Sequence, residues 1–126
     1  MHDHEAAMQV YVQLVAICDQ KRQPQVRDRF LLLAGVEACR AGWLDVAECC
    51  HRRLIASNPA HQAHRFPNFA DALRDADFQK LVEHWERYCP FEKAEAMLSE
   101  LEPPATVVSP DLTLGEWMLK LLNHHD

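Results

Sequence analysis

Apolar residues recur three and four positions apart through most of the chain, the spacing that places side chains on one face of a helix. From Ala6 to Asp19, Val10, Leu14 and Ile17 form one stripe, with Tyr11, Val15 and Cys18 beside it. That wide apolar face predicts a helix, preceded by a frayed polar lead-in, His2 to Glu5. Gln20 to Gln23 breaks the pattern. Pro24 suits the first turn of the next helix, since its missing N–H has no intrahelical partner to lose, and that helix is predicted to run from Pro24 through Ala41. Its inner stripe is Leu31, Ala34, Ala38 and Ala41.

Gly35 interrupts this stripe. A glycine inside a helix costs about 1 kcal/mol against alanine, so its presence points to a place where another helix approaches closely. Gly42 follows the last periodic residue, where a left-handed cap favours a residue without a Cβ. Asp45 is then expected to cap a second helix, with Glu48 three residues on completing a capping box. Ala47, Cys50 or His51, and Leu54 form that helix's inner stripe, and Asn58-Pro59 ends it.

The stretch from Asp28 to Pro59 therefore reads as helix, tight turn, helix and closing proline. It resembles a tetratricopeptide repeat, a helix-turn-helix unit of about 34 residues. Against that pattern, Gly35 holds the small position of the first helix, Gly42 the turn, Ala47 the small position of the second helix, and Pro59 the closing proline. Three positions depart from it: Leu31 stands for the usual aromatic, Ala38 for a tyrosine, and His51 for a large aromatic. The resemblance implies an all-α fold of helical hairpins packed as a short array, five to seven helices in all. It also implies that one side of the first helix lines a concave binding surface, which here would be Arg29, Leu32, Leu33, Val36, Cys39 and Arg40. Because that helix is apolar nearly all round, two outcomes stand open. Either the N-terminal helix covers the stripe, or the stripe is a groove that takes a partner's amphipathic helix.

Beyond Pro59 the repeat pattern fades. Ala60 to Pro67 reads as a connector. Asn68 can cap a short helix bearing Phe69, Ala72, Leu73 and Ala76. Asp77 is expected to open another, with the series Phe78, Leu81, Val82, Trp85 and Tyr88 as its apolar face. Pro90 suits the start of a further helix with Phe91, Ala94, Met97, Leu98 and Leu101. The first domain thus spans residues 1–101. Residues 102–112, with Pro103, Pro104 and Pro110, form an extended linker. Thr113 and Glu116 then make a capping box for a last helix within residues 113–126, with Leu114, Trp117, Met118, Leu121 and Leu122 on its apolar side. This helix folds back as a terminal cap or docks in another molecule's groove. An exposed Trp117 would call for a partner.

Composition and charge narrow the function classes. With 126 residues the chain has room for one domain with a real core. Only three glycines are present, too few for a sheet-rich fold with many tight turns. The net charge of −6, with no cluster of Lys or Arg, argues against nucleic acid as a partner. The charge is uneven: residues 1–65 carry seven acids and eight bases, residues 66–126 twelve acids and five bases. The longest apolar run, Phe30 to Val36, falls far short of the ~20 residues that span a bilayer, so no membrane is expected. MHDHEAAM has no positive region ahead of an apolar one, so no secretory signal is expected. Five cysteines without framework spacing suggest reduced thiols in a cytoplasm.

The chemistry-bearing residues are sparse. Cys50 and His51, with His61 and His64, are the candidates for a metal-binding alternative. However, zinc sites favour paired ligands such as Cys-x2-Cys or His-x3-His, and neither spacing occurs among them. No nucleophile signature surrounds a cysteine, and three scattered glycines cannot make a phosphate-cradling loop. The expectation is a protein-interaction or scaffold module without catalysis or cofactor, with Trp117 and the six positions of the first repeat helix as partner-binding residues. A homodimer that closes the apolar stripes on a second copy is the other alternative.

Overall fold

The fold is given by a computed structural model, which describes residues 3–101 and 111–123. Among those residues it is all-α, with seven helices and no strand. They are α1 (His4–Lys21), α2 (Pro24–Ala41), α3 (Leu44–Ser57), α4 (Phe69–Ala72), α5 (Ala76–Tyr88), α6 (Phe91–Glu100) and α7 (Leu114–Asn123), with a 3-10 turn at Gln62–Arg65. Residues 102–110, most of the expected linker, lie outside the described part. No helix among the described residues is long and apolar enough to cross a membrane.

Local chemistry explains most helix ends. The Asp3 carboxylate accepts from the Ala6 N–H at 3.1 Å, so α1 starts at His4 and takes in residues expected to fray. Pro24 opens α2 where it was expected. Gly42 ends it at φ 87°, the left-handed conformation that disfavours a Cβ. The expected Asp45–Glu48 capping box does not form. The turn after Gly42 is so short that Trp43 is already the cap residue of α3, which places Asp45 inside the first turn. There its charge complements the helix dipole. Asn68 caps α4 as expected, accepting from the Asp71 N–H at 2.8 Å. The cap of α5 is Asp75 rather than Asp77, because Asp75 lies three residues before the Phe78 N–H that it accepts at 2.9 Å. The Thr113–Glu116 box closes in both directions, at 3.1 and 3.3 Å.

Consecutive hairpins pack α1 on α2 and α2 on α3. α4 and α5 close on α2, α6 lies on α1, and α7 lies against α1 and α3. The helix that is apolar all round is therefore the one with neighbours on most sides, as burial requires. From Phe30 to Ala38 every residue of α2 is buried, Gly35 and Glu37 included. At Gly35 the Phe69 ring of α4 lies so close that a Cβ would overlap it, and that Cβ would also stand 3.0 Å from the Cβ of Cys50 on α3. Met118, Leu121 and Leu122 of α7 are fully within the core.

Polar ties hold the ends of the bundle. The buried Tyr11 hydroxyl donates to the Cys89 carbonyl at 2.9 Å, fixing α1 to the α5–α6 junction. The Arg53 guanidinium on α3 donates to Asp19 on α1 at 2.8 Å and to the Leu122 carbonyl of α7 at 2.9 Å.

Candidate functional site

The six positions of α2 expected to line a groove do not form one. Leu32, Leu33 and Val36 are only 1, 2 and 1% exposed, so the accessibility that an open groove needs is missing. Two elements cover this helix. Phe30, in the same run, stacks on Tyr11 of α1 with ring centroids 6.2 Å apart. On the other side, Leu32 shares the lining of a hollow with Leu81 and Trp85 of α5. Cover by α1 was one of the two outcomes considered; cover by α5 was not. The repeat pattern could not be carried past Pro59, and α5 comes from that region.

The polar members diverge. Arg40 reaches Glu37 at 3.2 Å and Glu86 at 3.5 Å, and Glu37, 2% exposed, also meets the His4 imidazole. Arg40 thus belongs to a network that fastens α2 to α1 and α5. Cys39 lines a different hollow of about 710 Å³, with Leu44, His51, Arg52 and Phe66. Trp117 sits on α7, which packs on α1 and α3. It is half-buried, and its indole N–H is buried without a hydrogen-bond partner among the described residues.

Arg29 is different. Its guanidinium lies 4.7 Å from the ring centre of Trp85 and 5.8 Å from that of Tyr88, both on α5. The two rings meet edge to face at 5.6 Å. From α6 the Lys93 ammonium approaches the Tyr88 ring to 5.3 Å and donates to the Tyr88 carbonyl at 3.3 Å. Beneath these four side chains is a hollow of about 260 Å³ whose apolar lining includes Val26, Phe30, Leu33 and Met97. Tyr88 is 58% exposed, one of two large apolar side chains so placed among the described residues; the other is Leu44. The aromatic series that builds α5 already contained Trp85 and Tyr88, but periodicity alone assigned them to the core.

A neighbouring hollow of about 400 Å³ shares Arg29 and Trp85 and adds Asp28, Asn58 and His61. The His61 Nδ1 accepts from the Ala63 N–H at 3.0 Å. Burial lowers the pKa of His61, with the Asp28 carboxylate pulling the other way and His51 adding to the lowering. Its neutral form therefore presents Nε2 as the donor.

The four residues of the metal alternative do not converge. Cys50 is fully buried, and burial pushes its thiol well above the ordinary range. His51 donates from Nε2 to the Ala63 carbonyl at 2.9 Å, and His61 caps the same turn. His64 is exposed. No three His, Cys, Asp or Glu among the described residues are grouped so as to hold a metal ion. Burial also raises the thiols of Cys18, to about 11, and of Cys39 and Cys89, so these disfavour the thiolate that nucleophilic chemistry needs. Aromatic surface, and positive charge without an acid partner among the described residues, are what the Arg29 face offers a ligand. Against protein-family models, curated proteins and solved structures alike, the chain finds no significant match.

Proposed function

We propose that this protein is an interaction module that binds another protein through the face made by Arg29, Trp85, Tyr88 and Lys93. One observation carries this reading: a largely exposed tyrosine, edge to face with a tryptophan and in cation–π contact with an arginine, lines an apolar hollow. Tyr, Trp and Arg are the residues that most often dominate binding energy at protein interfaces, since each brings large contact area and a polar handle. The α2–α3 pair is read as a tetratricopeptide-like hairpin. Support comes from Gly35 at the close helix contact, Gly42 at the left-handed turn, and Pro59 just past the end of α3. The open groove of that family is replaced here by cover from α1 and α5, which moves the binding surface to the outer edge of α5 and α6. The five unpaired cysteines fit a reducing compartment such as the cytoplasm.

The test is affinity capture with the tagged full chain, comparing wild type with Tyr88→Glu and with Glu83→Ala, an exposed change on α5. Tyr88→Glu should lose specific partners that Glu83→Ala retains. Identical partner sets for all three proteins would sink the reading.

A further inference from the structure

Of the nine arginines, only Arg27, Arg29 and Arg53 are half-buried. Arg27 and Arg53 both pair with the buried Asp19, at 3.4 and 2.8 Å. Arg29 has no carboxylate partner among the described residues, and no hydrogen bond to its guanidinium is made there. Lys93 likewise has no acid within ion-pair distance among the described residues. The nearest helices do carry acids, but Glu86 is engaged by Arg40, and none of the others closes on Arg29 or Lys93. The guanidinium lies over the Trp85 and Tyr88 rings, contacts that use none of its N–H donors, and a guanidinium with its N–H fork unused can grip a carboxylate with two hydrogen bonds.

From this we infer that the face takes an acidic peptide segment: one large apolar side chain enters the hollow, and flanking carboxylates meet Arg29 and Lys93. The inference rests on the interaction reading above and names the chemistry of the partner. Size supports a side chain over a cofactor. The hollow of about 260 Å³ lies below the ~300 Å³ at which small-molecule sites begin. Its lining by Val26, Phe30, Leu33 and Met97 suits a leucine or phenylalanine. Charge supports acid over base, because Arg29 and Lys93, the two cations lining the hollow, have no acid partner among the described residues. Polarity supports a peptide whose anion and apolar anchor are adjacent, since Arg29 and the hollow share Trp85 as a wall.

The full chain should be titrated into three fluorescein-labelled peptides, followed by anisotropy. Each has a central leucine, flanked on both sides by three glutamates, three glutamines or three lysines. The glutamate peptide should bind at least ~10-fold more tightly than the glutamine peptide, and the lysine peptide least, with affinity falling as salt is raised. Replacing the central leucine by glycine should weaken the glutamate peptide to a similar degree. Arg29→Met keeps a long unbranched side chain at this position but removes the fork, and should cost about 10-fold in affinity. Lys93→Gln, at an exposed position, gives a second variant whose folding is not in question, and should cost about threefold. Unchanged helical circular dichroism must accompany both variants. Equal binding of glutamate and glutamine peptides, or full binding by Arg29→Met, would overturn the inference. So would no binding of any peptide at about 1 mM. If the peptides fail while Tyr88→Glu still loses partners in the capture experiment, only the acidic chemistry falls. If Tyr88→Glu also loses none, the interaction reading falls with it.

Discussion

Replacing Gly35 by alanine sets two known effects against each other. In a solvent-exposed helix the change would stabilise by about 1 kcal/mol, because alanine has the better helix propensity. Here the new Cβ would overlap the edge of the Phe69 ring, with Phe69 Cδ2 only 2.7 Å away and the Cβ of Cys50 at 3.0 Å. The ring has little room to yield. Phe69 is 1% exposed, edge-on to His51 at 5.2 Å and tilted against Phe78 at 6.2 Å. Overpacking of this kind costs about 1–3 kcal/mol, and more where the neighbour cannot shift. The overpacking term should win, leaving Gly35→Ala less stable by about 1–2 kcal/mol and lowering Tm by roughly 4 °C per kcal/mol for a chain of this size. Urea denaturation followed by helical circular dichroism measures it directly. In a Phe69→Leu background the cost of Gly35→Ala should shrink by about 1 kcal/mol or more, since the two sites touch. Gly42→Ala offers a contrast. Nothing lies within 4 Å of its would-be Cβ, and its penalty comes from φ +87° alone. That penalty, about 1 kcal/mol, should be untouched by Phe69→Leu. A Gly35→Ala variant that is stabilised, or equally destabilised in both backgrounds, would refute the packing argument.

Two further outcomes follow from buried polar groups. Arg53 is 12% exposed at the side chain and links Asp19, 5% exposed, to the end of α7, whereas its neighbour Arg52 is 66% exposed. Arg53→Met should therefore cost about 3 kcal/mol in urea denaturation. Arg52→Met should stay within about 0.5 kcal/mol, and equal effects would show that the Asp19 hub is not structural. The second concerns pH. Burial depresses the His61 pKa, so below about pH 6.5 the unfolded chain takes up a proton that the folded one resists. The stability tied to His61 is complete above that value and is lost as pH falls through its lower folded pKa. His61→Asn keeps a side-chain acceptor for the Ala63 N–H but cannot be charged, so wild type should lose more stability than the variant between about pH 7 and 5. A constant difference across that range would exclude His61 as a source of acid sensitivity.

Much of the fold was legible because its determinants are local. Pro24, Gly42, Asn68, Pro90 and the Thr113–Glu116 pair each act through the backbone within a turn, and each ends or begins a helix where its chemistry requires. Local competition defeated the rest. Asp75 and Asp77 are equally plausible caps by composition, and only the path of the chain out of α4 puts Asp75 three residues before a free N–H. Asp45 lost its cap because α3 begins two residues earlier than a box capped by Asp45 needs.

The face around Arg29 was hidden for a different reason. A helical stripe states that residues share a side, not which neighbour that side meets. In α2 nearly every side is apolar, so the sequence was compatible with either an open or a covered groove, and the choice depended on where α5 returns. That return converts Leu32 and Leu33 from surface to lining and carries Trp85 and Tyr88 onto Arg29. The arginine was among the expected contacts, and the acid next to it on the chain, Asp28, meets Arg27 instead, at 3.3 Å. Its meaning comes from a contrast visible only in three dimensions: Arg27 and Arg53 share one buried carboxylate, while Arg29, also half-buried, has two rings and no carboxylate among the described residues. Sheltering a cation without an acid is unfavourable unless something else offsets it. Stacking on two rings does so in part, and a partner's carboxylate would complete it.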